Sequence, residues 1–140
     1  MKFVADIMVR DVVSIKDTDS VHEARMLLKQ YRIRHLPVID SESAEFVGML
    51  TQGSLLNHAF KLIEKFGMSG LQKREQRTQV KEIMLVDSDS VSPQDSLIGV
   101  CELFTDKKAS CVPVVEGGQL KGIITSVDFV KLALQLLKAG

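Results

Sequence analysis

Apolar residues in this chain follow two rhythms. Val21, Ala24, Leu27, Leu28 and Tyr31 recur at three- and four-residue intervals, which predicts one face of a helix. Ser20 stands just before that face and Glu23 three residues later, the spacing of a capping box. Gln30 to Arg34 is a polar exit. Short apolar runs at about 36–39 and 46–51, parted by Ser41-Glu42-Ser43, read as two strands joined by a turn. A further short strand is placed at about 12–15. A second helix is predicted from about Ser54 to Phe66, ending at Gly67, a residue suited to the position after a helix. The unit reads β-α-β-β-α.

The unit is then written again. Val4-Ala5-Asp6-Ile7-Met8 returns as Val80-Lys81-Glu82-Ile83-Met84, and Leu36-Pro37-Val38-Ile39-Asp40 as Val112-Pro113-Val114-Val115-Glu116, both shifted by 76. Phe46-Val47-Gly48-Met49-Leu50-Thr51 returns as Leu120-Lys121-Gly122-Ile123-Ile124-Thr125, shifted by 74, so one turn is two residues shorter. Helices are expected near 96–106 and 128–138, and strands near 112–115 and 120–125. The boundaries are residues 1–66 for the first repeat, 67–79 for a polar linker and 80–140 for the second repeat. The Lys73-Arg74-Glu75-Gln76-Arg77 run reads as a solvated stretch of that linker, with a basic patch for a polyanion as the other reading.

One unit of about 60 residues is marginal alone. The expected architecture is a mixed α/β fold of the α+β type, with two repeats packed face to face about a pseudo-twofold axis. The last helix is apolar almost all round through Phe129, Val130, Leu132, Ala133, Leu134, Leu136 and Leu137, which calls for cover on several sides and makes a homodimer the economical expectation.

Composition narrows the chemistry. The 140 residues carry 18 basic and 18 acidic side chains, so no global pull toward nucleic acid is expected. Aromatics are 5% and Trp is absent, leaving few platforms for stacked bases. No apolar run nears the roughly 20 residues that span a bilayer, and MKFVADIMVRD does not read as a signal peptide. Cys101 and Cys111 are too few for a disulfide scaffold and read as small apolar residues of a reduced, cytoplasmic protein. His22, His35 and His58 lack metal-ligand spacing, so no metal is expected. The six methionines read as core filler. No phosphate-loop motif or nucleophile elbow occurs, and no acid–base set emerges, so no enzyme is expected.

A tandem carrying Asp-Ile-Met, Leu-Pro-Val-Ile-Asp and Gly-Met-Leu-Thr, then Val-Pro-Val-Val-Glu and Gly-Ile-Ile-Thr-Ser-Val-Asp, resembles a pair of cystathionine β-synthase (CBS) domains over nearly the whole chain. The resemblance implies a regulatory module that binds an adenine nucleotide or related adenosyl ligand in clefts between paired repeats. AMP, ADP, ATP, S-adenosylmethionine and NAD share the adenosine so recognised, and none is a required cofactor. It also implies that two chains assemble into a four-unit disc. With no effector domain within the chain, the output would pass to a partner protein. The rival reading is a dimeric scaffold that keeps the fold and binds no nucleotide.

The family's signature is Gly-h-h-Thr-x-x-Asp, where h is hydrophobic. Its chemistry is plain: a carboxylate in the first helical turn is favoured by the helix N-terminus and can accept from two neighbouring hydroxyls, as a ribose presents them. A Thr at the strand end adds a further hydroxyl. The other reading of Asp128 is a simple helix cap. The second repeat keeps Gly122, Thr125 and Asp128; the first keeps Gly48 and Thr51 but has Ser54 in place of the acid. Charge-assisted hydrogen bonds are roughly twice as strong as neutral ones, so the second site is expected to be the better one. Val91, Ser92, Val112 and Pro113 would wall the base there, and Val13, Ser14, Leu36 and Pro37 in the first repeat. Lys131 is the nearest cation to Asp128 by sequence for a phosphate, and Arg32, Arg34 and His35 form a second basic group.

Overall fold

The computed structural model describes residues 2–140. The chain divides into two compact units, one running from Val13 to Ser88, the other joining the segment that ends at Val12 to Asp89–Gly140. No helix among the described residues is long and apolar enough to cross a membrane.

The Val13–Ser88 unit holds a three-stranded sheet in the order β1-β2-β3. Strand β1 (Ile15–Lys16) runs parallel to β2 (His35–Ile39), which pairs antiparallel with β3 (Phe46–Thr51). Strand β1 is shorter and later than the 12–15 expected, because the Val12 N–H turns back to the Arg10 carbonyl instead of joining the ladder. Helix α1 (Val21–Tyr31) starts where Ser20 Oγ accepts from the Glu23 N–H at 3.0 Å. It buries Val21, Ala24 and Leu28, while Tyr31, at the helix end, is half exposed. Helix α2 (Gln52–Phe66) ends at Gly67, where φ is +79° and the N–H bonds to the Ile63 carbonyl. Ile15, Leu36, Val38, Leu50, Leu55 and Val80 join the α1 residues in one core. Each such side chain contributes about 1.5–3 kcal/mol by leaving water.

The stretch expected to be a solvated linker contains a helix, α3 (Leu71–Arg77). Seven residues cannot sustain a helix in water alone. This one is held by Glu75, which is only 2% exposed and takes both Arg25 Nε and Nη2 in a two-pronged ion pair at 2.9 and 2.6 Å. Arg25 lies on α1, so the partner that orders α3 is 50 residues away in sequence.

The Asp-Ile-Met and Glu-Ile-Met blocks form matching short 3-10 turns, Val4–Asp6 and Val80–Glu82. Asp6 Oδ2 accepts from the Lys2 and Phe3 N–H groups at 2.9 Å, and Glu82 Oε2 from the Gln79 N–H at 2.7 Å. Each block closes a unit built mainly from the other repeat. Leu85 exchanges two backbone hydrogen bonds with Met49 of β3, both 2.8 Å, whereas Val9 does the same with Ile123 at 2.9 and 3.0 Å. The repeated glycines follow from this crossing. A Cβ on Gly48 would sit 2.8 Å from the Leu85 carbonyl oxygen, and one on Gly122 would sit 2.8 Å from that of Val9.

The other unit carries α4 (Leu97–Asp106), a two-stranded sheet of β4 (Cys111–Glu116) and β5 (Gln119–Thr125), and α5 (Ser126–Ala139). Ser96 caps α4 through the Gly99 N–H at 3.2 Å, as Ser20 caps α1. The counterpart of β1 is reduced to a single parallel bridge from Val91 to Val114, so a full third strand is absent among the described residues. Gly117 and Gly118, at φ +58° and +80°, make the tight hairpin turn. The first repeat uses a longer turn, in which Asp40 Oδ1 accepts from the Glu42 and Ser43 N–H groups. That is the two-residue difference between the shifts of 76 and 74. Val4, Met8, Val100, Val114 and Ile124 form the core. Phe104 and Phe129 meet edge to face at 5.3 Å beside it. Helix α5 leaves Val127, Val130, Leu134, Leu136 and Leu137 more than half exposed, and the residue it buries most fully is Asp128.

Candidate functional site

The second-repeat site is built at the junction of β5 and α5. Thr125 is the last residue of β5, in extended conformation, and Asp128 is the third residue of α5. Asp128 Oδ2 accepts from the Thr125 N–H at 2.8 Å and from Thr125 Oγ1 at 3.4 Å. The carboxylate therefore caps the helix, as the plainer reading of that residue holds. Capping occupies one oxygen only. Oδ1 accepts no hydrogen bond among the described residues, although the side chain is 9% exposed. Oδ1 still reaches solvent and keeps an unused acceptor, which the positive end of the helix dipole favours in its charged form. An incoming hydroxyl would satisfy it directly.

Cys111 stands opposite Thr125 in the β4–β5 register. Burial pushes its thiol up to about 12, and the Asp128 charge adds to the shift. The thiol stays protonated beside the carboxylate. It offers a weak S–H donor and an apolar surface, which goes beyond the small core residue expected. Cys101, by contrast, is exposed.

The first-repeat site keeps the geometry and loses the charge. Thr51 Oγ1 accepts from the Ser54 N–H at 3.0 Å and lies 2.9 Å from Ser54 Oγ. Here the threonine caps the helix, and one of the two hydroxyls donates to the other. His35 stands opposite Thr51, at the position equivalent to Cys111. Burial lowers the His35 pKa from its ordinary value, and the neighbouring Arg34 lowers it further. Sequence reading offered His35 only as part of a basic group for a phosphate, and took Cys111 for a small apolar residue. The 76-residue shift, applied to the strand pairing, would have found them. One turn beyond Ser54, His58 Nδ1 is buried with no hydrogen-bond partner among the described residues.

The expected walls are placed as follows. Val91 is half-buried and locked to β4, its N–H bonding the Pro113 carbonyl at 3.1 Å and its carbonyl accepting from Val115 at 2.8 Å. Ser92 is half-buried; its N–H bonds Asp95 Oδ2 at 2.9 Å. Val112, Pro113, Leu36 and Pro37 are fully buried, so their side chains serve as core in the free chain. Val13 and Ser14 are half-buried, and Val13 packs on the first core. Lys131 is exposed on α5, as are Arg32 and Arg34 in the other unit. Among the described residues no group of three His, Cys, Asp or Glu side chains could hold a metal ion.

The CBS domain family profile matches twice, over residues 4–61 and 80–135. The chain is 31% identical over 140 residues to an uncharacterized protein of Methanocaldococcus jannaschii, covering 98% of this chain and 33% of that protein. It is 30% identical over 116 residues to inosine-5'-monophosphate dehydrogenase of Staphylococcus haemolyticus, covering 81% of this chain and 21% of the dehydrogenase. It thus spans about a third and a fifth of the length of these relatives. Among solved structures it is similar to a Vibrio cholerae protein named for acetoin utilization (AcuB), with a TM-score of 0.80 and 30% identity over 99% of this chain and 94% of that one. It is also similar to CBSX2, solved in complex with AMP, with a TM-score of 0.77 and 29% identity over 97% of this chain and 98% of that one.

Proposed function

We propose, from the premise that this chain belongs to the CBS domain family, that it is a regulatory module that binds an adenosyl ligand through Asp128 and Thr125, with AMP the first candidate. One observation carries the reading: Asp128, largely buried at the start of α5, caps the helix through Oδ2 alone and leaves Oδ1 free to accept. A ribose diol supplies two donors. Lys131, one turn along and exposed, is free to swing toward a phosphate. The module performs no chemistry. Differential affinity of the ligand for two arrangements of the chain supplies the signal, which passes to an effector protein.

Calorimetric titration with AMP, ADP, ATP, S-adenosylmethionine and NAD tests the assignment. AMP binding should fall at least about tenfold in Asp128→Asn, since a neutral acceptor forms hydrogen bonds roughly half as strong. Asparagine still caps a helix, so the fold should hold. Ser54→Ala should change affinity by less than about threefold, with both hydroxyls already paired. A larger loss from the Ser54 change would move the site to the first repeat. Absence of binding by any adenosyl compound would favour the scaffold reading.

The exposed apolar positions of α5, together with Leu56 and Phe60 of α2, support self-association as a homodimer. Light scattering should give twice the chain mass for the wild type and the single-chain mass for Val130→Lys/Leu134→Lys. A monomeric wild type would end this part of the reading.

A further inference from the structure

The ordered connection between the repeats carries basic side chains that have no ion-pair partner among the described residues. Between Lys65 and Lys81 the charged residues are Lys65, Lys73, Arg74, Glu75, Arg77 and Lys81, in a chain whose formal charge is zero. The one acid, Glu75, is turned inward and spent on Arg25. Lys73, Arg74 and Arg77 form no ion pair among the described residues. They converge on a hollow of about 320 Å³ against α2, with Leu62 and Ser69 among the lining residues and no acidic side chain in its wall.

Two features fix this arrangement. The Arg74 guanidinium carbon sits over the Phe66 ring, 3.4 Å from its centre, which holds the group in place. Thr78 Oγ1 donates to the Arg74 carbonyl at 2.8 Å and holds the helix end. Three like charges brought together without a counter-charge repel one another, and an anion between them relieves that repulsion. Guanidinium forks match phosphate oxygens two at a time. A phosphate group carries about −1.5 to −2 charges at neutral pH, so one phosphate leaves three cations incompletely matched and two linked phosphates answer them. The volume is at the lower end of small-molecule sites, about 300–1,000 Å³.

We infer that the α2–α3 hollow is a second binding site, for a diphosphate group, held by Lys73, Arg74 and Arg77. It is separate from the first-repeat Thr51 position, since Leu62, its lining residue on α2, lies about 16 Å along the helix from Thr51. The inference is independent of the adenosyl site, and the diphosphate is either free or the tail of a nucleotide.

Calorimetry on the full chain at constant ionic strength, with inorganic pyrophosphate as probe and sulfate as control, tests it. Pyrophosphate should bind at least about tenfold tighter than sulfate. Arg77→Gln and Lys73→Gln are changes at exposed positions that leave the core alone, and each should weaken pyrophosphate at least about fivefold. Asp128→Asn should leave it unchanged. In that Asp128→Asn background, retention of ADP with loss of AMP would identify the nucleotide tail as the source; equal weakness of both would identify free diphosphate. Amide shifts on pyrophosphate addition should cluster at 69–78. Pyrophosphate no tighter than sulfate, full affinity in the Lys73→Gln/Arg77→Gln double variant, or amide shifts centred outside 69–78 would each overturn the assignment.

Discussion

His35 and Cys111 occupy equivalent places opposite a strand-end threonine, and their different chemistry gives each site its own response to its surroundings. Burial disfavours charged His35, so its folded pKa lies below the unfolded value near 6.5. The unfolded chain then binds more protons between the two values, and stability is full above about pH 6.5 and falls as pH drops through that window. Asp6 and Asp40, lowered by backbone N–H donors, act in the same direction at lower pH, below about 3.8. Urea unfolding of the wild type should show a midpoint that declines from pH 7 to pH 5. His35→Gln should remove that first decline; an unchanged slope would reject the assignment. His58 is the opposite case, a buried ring nitrogen without a partner where the second repeat has Leu132. His58→Leu should stabilise the chain by about 1 kcal/mol, read from the denaturation midpoint. A loss of stability would show that His58 has a partner.

At the scale of elements, the repeated glycines are steric requirements of a crossing strand rather than turn signals. Gly48→Ala or Gly122→Ala would press a methyl into a backbone carbonyl at 2.8 Å, which cannot rotate aside. Each should cost about 1–3 kcal/mol in equilibrium unfolding, as overpacking does, whereas Gly53→Ala, with only Thr51 Oγ1 at 3.6 Å, should not destabilise. A neutral result at both Gly48 and Gly122 would mean that the leader segments, Val4–Val9 and Val80–Leu85, are not seated as described. The helices with periodic apolar faces and serine caps, α1 and α4, were legible because cap and face are local. Helix α3 was not. Its stretch is almost wholly polar, and the feature that orders it is an ion pair to Arg25 that no window of sequence contains. Glu75 looks like one more solvated charge until that partner is known.

Across the whole molecule, the units that fold and the units that repeat are offset. The Val13–Ser88 unit includes the second repeat's leader, with Val80 fully buried in its core. A fragment of residues 13–88 should therefore fold by circular dichroism and show cooperative unfolding. A fragment of residues 1–66, cut at the repeat boundary, lacks Val80, Ile83, Met84 and the Leu85 pairing and should not. Cooperative folding of 1–66 would contradict the exchange.

The doubled order of helices and strands, the caps at Ser20 and Ser96, the stop at Gly67 and the contrast of Ser54 with Asp128 were all set by local chemistry, and the sequence alone determined them. The exchange of leaders, the burial of Asp128 with one oxygen unclaimed, the placement of residues 35 and 111 beside the threonines and the existence of α3 depended on tertiary contacts. Periodicity reports which residues of one element share a face. Which distant carbonyl, guanidinium or strand meets that face is decided only when the chain closes on itself.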